Sequence, residues 1–290
     1  MGPVDVETTV FEGFEGIRLV GDVRGDPGDP PVLFLHGGGQ TRHAWGSAAG
    51  TVAAQGWRTV ALDLRGHGDS EWAANGDYSF TAFCADCVAV ADQLGRPPVL
   101  VGASLGGMSA MLAEGTSDRT LSCGLVLVDI TPKTNAAGIE RITTFMRSGA
   151  GGFDSLEDAA DAIAAYTPQR RRKVNPAGLM KVLRQRDDGR WYWHWDPRVI
   201  GQDRTEVVPD RLVGLLDVAT ANIRVPTLLV HGLLSDVVTQ EGVDDLLAQI
   251  PGATAVGVAG AAHMIAGDRN DAFSDAVVTF LRDRIRPTVA

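Results

Sequence analysis

Short apolar runs rich in β-branched residues recur at 32–35, 59–62, 99–101, 125–128, 227–230 and 255–258. They lack a strict apolar/polar alternation, so each is expected to be a strand buried on both faces, as in a parallel sheet covered by helices. Helical patterns fall between them, at 80–94, 105–114, 240–249 and 271–285. Ahead of these, 4–11 and 17–23 predict an opening hairpin, and 25–31, rich in Gly, Asp and Pro, predicts a turn. Strands alternating with helices predict an α/β fold with a mostly parallel sheet.

One interval breaks the rhythm. Nearly a hundred residues separate the runs at 125–128 and 227–230, with helical patterns at 139–147 and 156–165 but no clear buried strand. A structureless loop of that length does not suit a compact domain. The expected organisation is therefore a core made of 1–130 and 223–290, with 131–222 inserted as a helical cap over the C-terminal edge of the sheet. That insertion holds a basic run, 170–173, expected to be a solvated face. It also holds an aromatic cluster of Trp191, Tyr192, Trp193 and Trp195.

Composition narrows the class. Of 290 residues, 44% are hydrophobic and 21% charged, enough apolar material for one large core. The net charge of −10 gives no electrostatic reason to approach nucleic acid or anionic lipid. No apolar run approaches the roughly 18 residues of a membrane span. The first ten residues carry Asp5 and Glu7 and lack the pattern of a signal peptide. Three cysteines without framework spacing fit a reducing, cytoplasmic setting. Cys84 and Cys87 form a C-x-x-C inside a predicted helix with no further zinc ligands nearby, and are read as structural.

The candidate chemistry centres on Gly102-Ala103-Ser104-Leu105-Gly106-Gly107. This G-x-S-x-G follows a predicted strand and opens a predicted helix, the context of a nucleophile elbow. So sharp a turn needs glycine at 102 and 106, and it aims the positive end of the helix dipole at the serine. A hydroxyl needs a base, and His263, just after the last predicted strand, is the candidate. The chain order Ser, acid, His asks for a carboxylate between them. Asp236, in the loop after 227–230, is preferred because that loop can reach the His loop; Asp129, at the end of the preceding strand, is the rival. His36-Gly37-Gly38-Gly39 reads as an oxyanion loop, with donors expected from the amides of Gly38 and Leu105.

The remaining histidines have plainer readings. His36 and His67 are expected to hydrogen-bond backbone in Gly-rich loops, and His43 and His194 to pack. No metal-binding histidine spacing occurs, and neither metal nor cofactor is expected. Gly37, Gly39, Trp191, Trp193 and Trp195 are candidate substrate contacts, the aromatic rings weighed evenly against a packing role.

Taken in order, these motifs resemble the α/β-hydrolase superfamily across about 20–285. Asp63-Leu64-Arg65-Gly66-His67-Gly68-Asp69-Ser70 is similar to that family's turn after the fourth strand. The resemblance implies a serine hydrolase acting on a small-molecule carboxylic ester or lactone through an acyl-enzyme. Serine at the elbow argues against the epoxide hydrolase and haloalkane dehalogenase branches, which use Asp there. Carbon–carbon hydrolases usually continue the oxyanion loop with Pro-Gly, whereas Gln40-Thr41-Arg42-His43 follows here. A carbon–carbon hydrolase, a cofactor-free perhydrolase or haloperoxidase, a cofactor-free oxygenase and a small-molecule receptor remain the alternatives, and a homodimer is left open.

Overall fold

The computed structural model describes residues 5–166, 175–201, 210–263 and 270–286. Its main sheet has eight strands: β1 (Glu7–Glu12), β2 (Arg18–Arg24), β3 (Pro31–Leu35), β4 (Arg58–Leu62), β5 (Val99–Ala103), β6 (Gly124–Val128), β9 (Thr227–Gly232) and β10 (Thr254–Val258). They lie in the order β1-β2-β4-β3-β5-β6-β9-β10. β1 and β2 run antiparallel to their neighbours, and every pairing from β4 to β10 is parallel. The predicted α/β class and parallel sheet are thus the observed ones.

Each central strand alternates its side chains between two cores, as a period of two requires. Leu33, Leu35, Val60, Leu62, Leu100, Leu125, Leu127 and Leu229 face one side. Val32, Phe34, Ala61, Val99, Val101, Val126, Val128, Leu228 and Val230 face the other. The first face is covered by α2 (Phe80–Asp92), α3 (Leu105–Thr116), α6 (Asp210–Asn222) and α7 (Gln240–Gln249). The second is covered by α1 (Gly46–Ala53) and α8 (Asn270–Phe280). Burial on both faces is why these strands read as continuous apolar runs.

α6 falls within the span expected to be cap, yet it packs on the core. Gly115 of α3 lets it approach so closely that a Cβ there would strike the backbone of Ala219. Thr220 and Asn222 reach back to Met111 and to the Gly115 carbonyl. The rest of that span contains α4 (Ala136–Ser148), α5 (Leu156–Tyr166) and an antiparallel pair, β7 (Leu183–Gln185) and β8 (Trp191–Trp193). Trp191, Tyr192 and Trp193 of the aromatic cluster therefore form a strand, and the span expected to be a helical cap is not purely helical. It has a small core of its own around Ala159, Ala160, Leu179 and Leu183.

Polar contacts tie this unit to the core. Gly68 N–H donates to the His194 carbonyl at 2.8 Å and Asp196 N–H to the Gly66 carbonyl at 2.7 Å. The Tyr78 hydroxyl donates to Asp196 at 2.6 Å, and Arg184 pairs with Asp69 at 3.3 Å. The basic run at 170–173 lies outside the described residues. Among the described residues, no helix is long and apolar enough to cross a membrane.

Strand order sets where a site can form. β3 connects to β4 on one side of it, whereas β5 lies on the other side. The connections diverge there, opening a crevice beyond the C-terminal ends of β3 and β5. The His36–Gly39 segment and Ser104 leave the sheet at these two ends.

Candidate active site

Ser104 sits between β5 and α3 with φ 45° and ψ −113°, a conformation that L residues rarely adopt. Such backbone costs on the order of 1–3 kcal/mol and persists only where the surroundings impose it. The surroundings are glycine. A Cβ on Gly102 would lie 2.5 Å from the Gly106 carbonyl oxygen, and one on Gly106 would strike the carbonyl of Leu35. Helix α3 therefore starts hard against β3 and β5, with Ser104 at its N-terminal end.

The loop after β3 lies alongside. The Cβ position of Gly37 is 3.4 Å from Cβ of Ser104. Gly37 N–H donates to Gln40 Oε1 at 3.0 Å, and Gly39 N–H donates to His67 Nε2 at 3.2 Å. The N–H groups of Gly38 and Leu105, between and beside these, have no acceptor among the described residues. Gly37 and Gly39 are thus occupied in shaping the loop. Met146 of α4 roofs it, with Cε 2.9 Å from where a Cβ on Gly39 would be.

Two buried histidines brace this loop. His36 Nε2 accepts from Leu64 N–H at 3.0 Å, leaving Nδ1 to donate to the Gly37 carbonyl at 2.8 Å. His67 Nε2 accepts from Gly39, and its Nδ1 donates to the Arg65 carbonyl at 3.0 Å. Both rings are neutral Nδ1–H tautomers, because an accepting nitrogen carries no proton. Burial lowers the pKa of His36 to about 4 and that of His67 to about 3. Gln40 and Arg42 were not singled out as site residues from sequence. Arg42, buried, pairs with Asp22 at 2.9 Å and with Asp63 and Asp69, pinning the start of α1 to the end of β4. Sequence offered only the Asp63–Ser70 turn as a signal for this network.

The carboxylate beside His263 is Asp129, not Asp236. His263 Nδ1 lies 2.8 Å from Asp129 Oδ2. Asp129 is fully buried at the end of β6, with φ 48°. Its N–H donates to the Val230 carbonyl at 2.8 Å; its Oδ1 accepts from Gly232 N–H at 2.9 Å and its Oδ2 from the Ser235 hydroxyl at 2.5 Å. Asp236 instead pairs with Arg141 of α4, and its backbone carbonyl abuts Gly138 of the same helix. The preferred acid therefore belongs to the cap contact, and the rival faces the imidazole. The β9 loop does reach the His loop, as expected, but through backbone: Leu234 N–H donates to the Ala261 carbonyl at 2.9 Å.

The three tryptophans proposed as substrate contacts have packing partners. Trp195 is buried in the main core and bridges to His67. Trp191 pairs its backbone with Phe153 and joins the cap cluster. Trp193 stands edge-on to Phe145 and Phe153, at 5.8 and 5.4 Å between centroids. Trp191 and Trp193, two residues apart in β8, share one face, and Trp195 lies beyond the strand in the main core. His43 and His194 are half-buried beside the Arg42 cluster, where burial lowers both pKa values. Burial raises the pKa of the Cys84 and Cys87 thiols, consistent with inert core cysteines.

Comparison with known proteins adds to this geometry. Esterase Rv0045c of Mycobacterium tuberculosis is 33% identical over 225 residues, which is 75% of this chain and 70% of that protein. Its solved structure superposes with a TM-score of 0.77 at 28% identity, covering 97% of this chain and 93% of that one. A 3-hydroxybutyrate-oligomer hydrolase of Cupriavidus necator is 27% identical over 78% of this chain and 80% of its own length. An alpha/beta hydrolase structure from Novosphingobium aromaticivorans shares the fold with a TM-score of 0.81 at 23% identity, covering 98% of this chain and all of that one. Residues 32–276 match the model of the Alpha/beta hydrolase family, and the chain belongs to that family.

Proposed function

We propose that this protein hydrolyses carboxylic esters or lactones through an acyl-enzyme on Ser104. The observation that carries the reading is a strained serine at the sheet's crevice together with a His263–Asp129 pair issuing from the C-terminal ends of β10 and β6. Esterase Rv0045c, a relative at 33% identity, supports the reaction class.

The substrate carbonyl oxygen points to the N–H groups of Gly38 and Leu105. Ser104 Oγ attacks the carbonyl carbon while its proton passes to His263 Nε2. Asp129, accepting from Nδ1, holds the ring in the tautomer that leaves Nε2 free and stabilises the imidazolium. The imidazolium then protonates the leaving alkoxide, and the acyl group remains on Ser104. Water, deprotonated by the same nitrogen, attacks the acyl carbon and releases the acid. Backbone donors aimed at the developing oxyanion are each worth about 10²–10³ in kcat.

The cap governs which acyl groups fit. Helix α4 crosses from Asp236, which it meets at Gly138 and Arg141, to Gly39, which it meets at Met146. Eight residues of helix, about 12 Å, separate Gly138 from Met146. Ile142, four residues from each, shares that side of the helix. An apolar roof suits an apolar acyl chain.

The test is a panel of p-nitrophenyl esters and lactones run with the native protein and Ser104→Ala. Hydrolysis that disappears in Ser104→Ala, with labelling of the native protein by a fluorophosphonate, is the expected result. Undiminished turnover by Ser104→Ala would overturn the proposal.

A further inference from the structure

We infer that Ser235 is a positioning residue that acts through Asp129 to set the basicity of His263. The inference rests on the reading that Ser104, His263 and Asp129 work together.

The direction of the Ser235 proton follows from its partners. A serine hydroxyl has one proton and two lone pairs. Ser235 Oγ accepts from Val237 N–H at 3.1 Å and from Val238 N–H at 3.2 Å. Both lone pairs are engaged, so the proton has one remaining direction, toward Asp129 Oδ2 at 2.5 Å. That is the length of a charge-assisted O–H to carboxylate bond. The same oxygen accepts from His263 Nδ1. Ser235 and His263 therefore compete for one carboxylate oxygen, while the other is held by Gly232 N–H.

Ser235 is thus the third donor to a fully buried carboxylate, beside Gly232 N–H and His263 Nδ1. It also withdraws negative charge from the face that meets the imidazole, so His263 is less basic than it would be opposite an unshared carboxylate. Asp236, adjoining Ser235, is paired with Arg141 of α4. Loss of the Ser235 hydroxyl should therefore raise the pKa of His263.

The experiment uses Ser235→Ala and Ser235→Thr in the full-length protein. One readout is the pH profile of kcat/KM for a p-nitrophenyl ester; the other is the titration of the His263 imidazole followed by NMR. Ser235→Ala should move the acid limb and the imidazole titration upward by about 0.5–1 pH unit, while Ser235→Thr restores both. Well below the limb, a one-unit move lowers kcat/KM about tenfold. Should Ser235→Ala fail to fold, Ser235→Cys, whose thiol is a weak donor, must show the same upward displacement. A purely structural role in holding Val237 and Val238 would reduce kcat at every pH with the limb unmoved, and that result overturns the inference. If the native protein hydrolyses no ester, the functional reading fails, while the NMR titration still decides the role of Ser235.

Discussion

Oδ2 of Asp129 lies 2.8 Å from Nδ1 of His263, joining residues 134 positions apart in the chain. The bond closes a path from the end of β6 to the loop after β10, across the C-terminal edge of β9. It yields the sharpest prediction. Asp129→Asn should lower kcat by roughly 10⁴, because the amide can present its NH₂ to the ring and select the wrong tautomer. Asp236→Asn should leave kcat within about fivefold, since it touches the machinery only through the cap contact with Arg141. Steady-state kinetics on the two purified variants checks both; equal losses would count against the assignment.

That contrast also marks what the chain's pattern could disclose. The strands were legible because burial on both faces leaves unbroken apolar runs, and Ser104 because its strain demands Gly102 and Gly106. The choice between Asp129 and Asp236 was not legible. Both follow apolar strands on the same edge, and local sequence says nothing about which side chain turns toward His263. The φ of Asp129 and the Gly232 and Ser235 donors decide it, and all are tertiary. α1 was missed because Gly46–Ala53 is built of Gly, Ala, Ser and Thr around Val52, with little periodic contrast. The tryptophans of β8 suggested a pocket wall by composition alone, which cannot say which face each ring takes.

Two glycine substitutions should act in opposite directions. Gly106→Ala puts a methyl into the Leu35 carbonyl, where backbone cannot yield cheaply. A loss of about 3 kcal/mol or more is expected. Gly214, in α6, has nothing within 4 Å of its Cβ position. Gly214→Ala should gain about 0.4–1 kcal/mol by restricting the unfolded chain. Chemical denaturation of both variants provides the comparison.

Two of the arginine–aspartate pairs, Arg65–Asp86 and Arg141–Asp236, should differ as strongly. Arg65 grips Asp86 at 2.6 and 2.7 Å, and both side chains are buried. Burial raises the pKa of Asp86 even with the guanidinium against it. Arg65→Met leaves that buried carboxylate without its cation, held only by the Phe14 N–H, and should cost about 3–5 kcal/mol. Arg141 is 61% exposed, so Arg141→Ala should cost under about 1 kcal/mol despite its pairing with Asp236. Urea midpoints at fixed slope distinguish the outcomes.

His36 and His67 predict an acid-side loss of stability. Their folded pKa values, about 4 and about 3, lie below the unfolded value near 6.5. The unfolded chain binds these protons first, so the associated stability is intact above about pH 6.5. It falls as pH drops toward 4 for His36 and toward 3 for His67, by up to about 1.4 kcal/mol per pH unit for each ring. Thermal unfolding from pH 7 to pH 4 should show a shallower decline in His67→Gln than in the native protein. Parallel declines would assign the loss to carboxylates instead.

The position of Asp129 has a consequence for how such a chain can diversify. Ser104, Gly38, Leu105 and Asp129 all precede the inserted segment, at the ends of β3, β5 and β6. An exchange or lengthening of 136–201 therefore leaves the proposed nucleophile and acid on an uninterrupted stretch of sheet. After the insertion, β9 and β10 return Gly232, Ser235 and His263 to it. Under the proposed function the roof would be a replaceable module on a fixed reaction centre, and grafting a foreign cap onto residues 5–131 and 210–286 would be a direct route to new substrate scope.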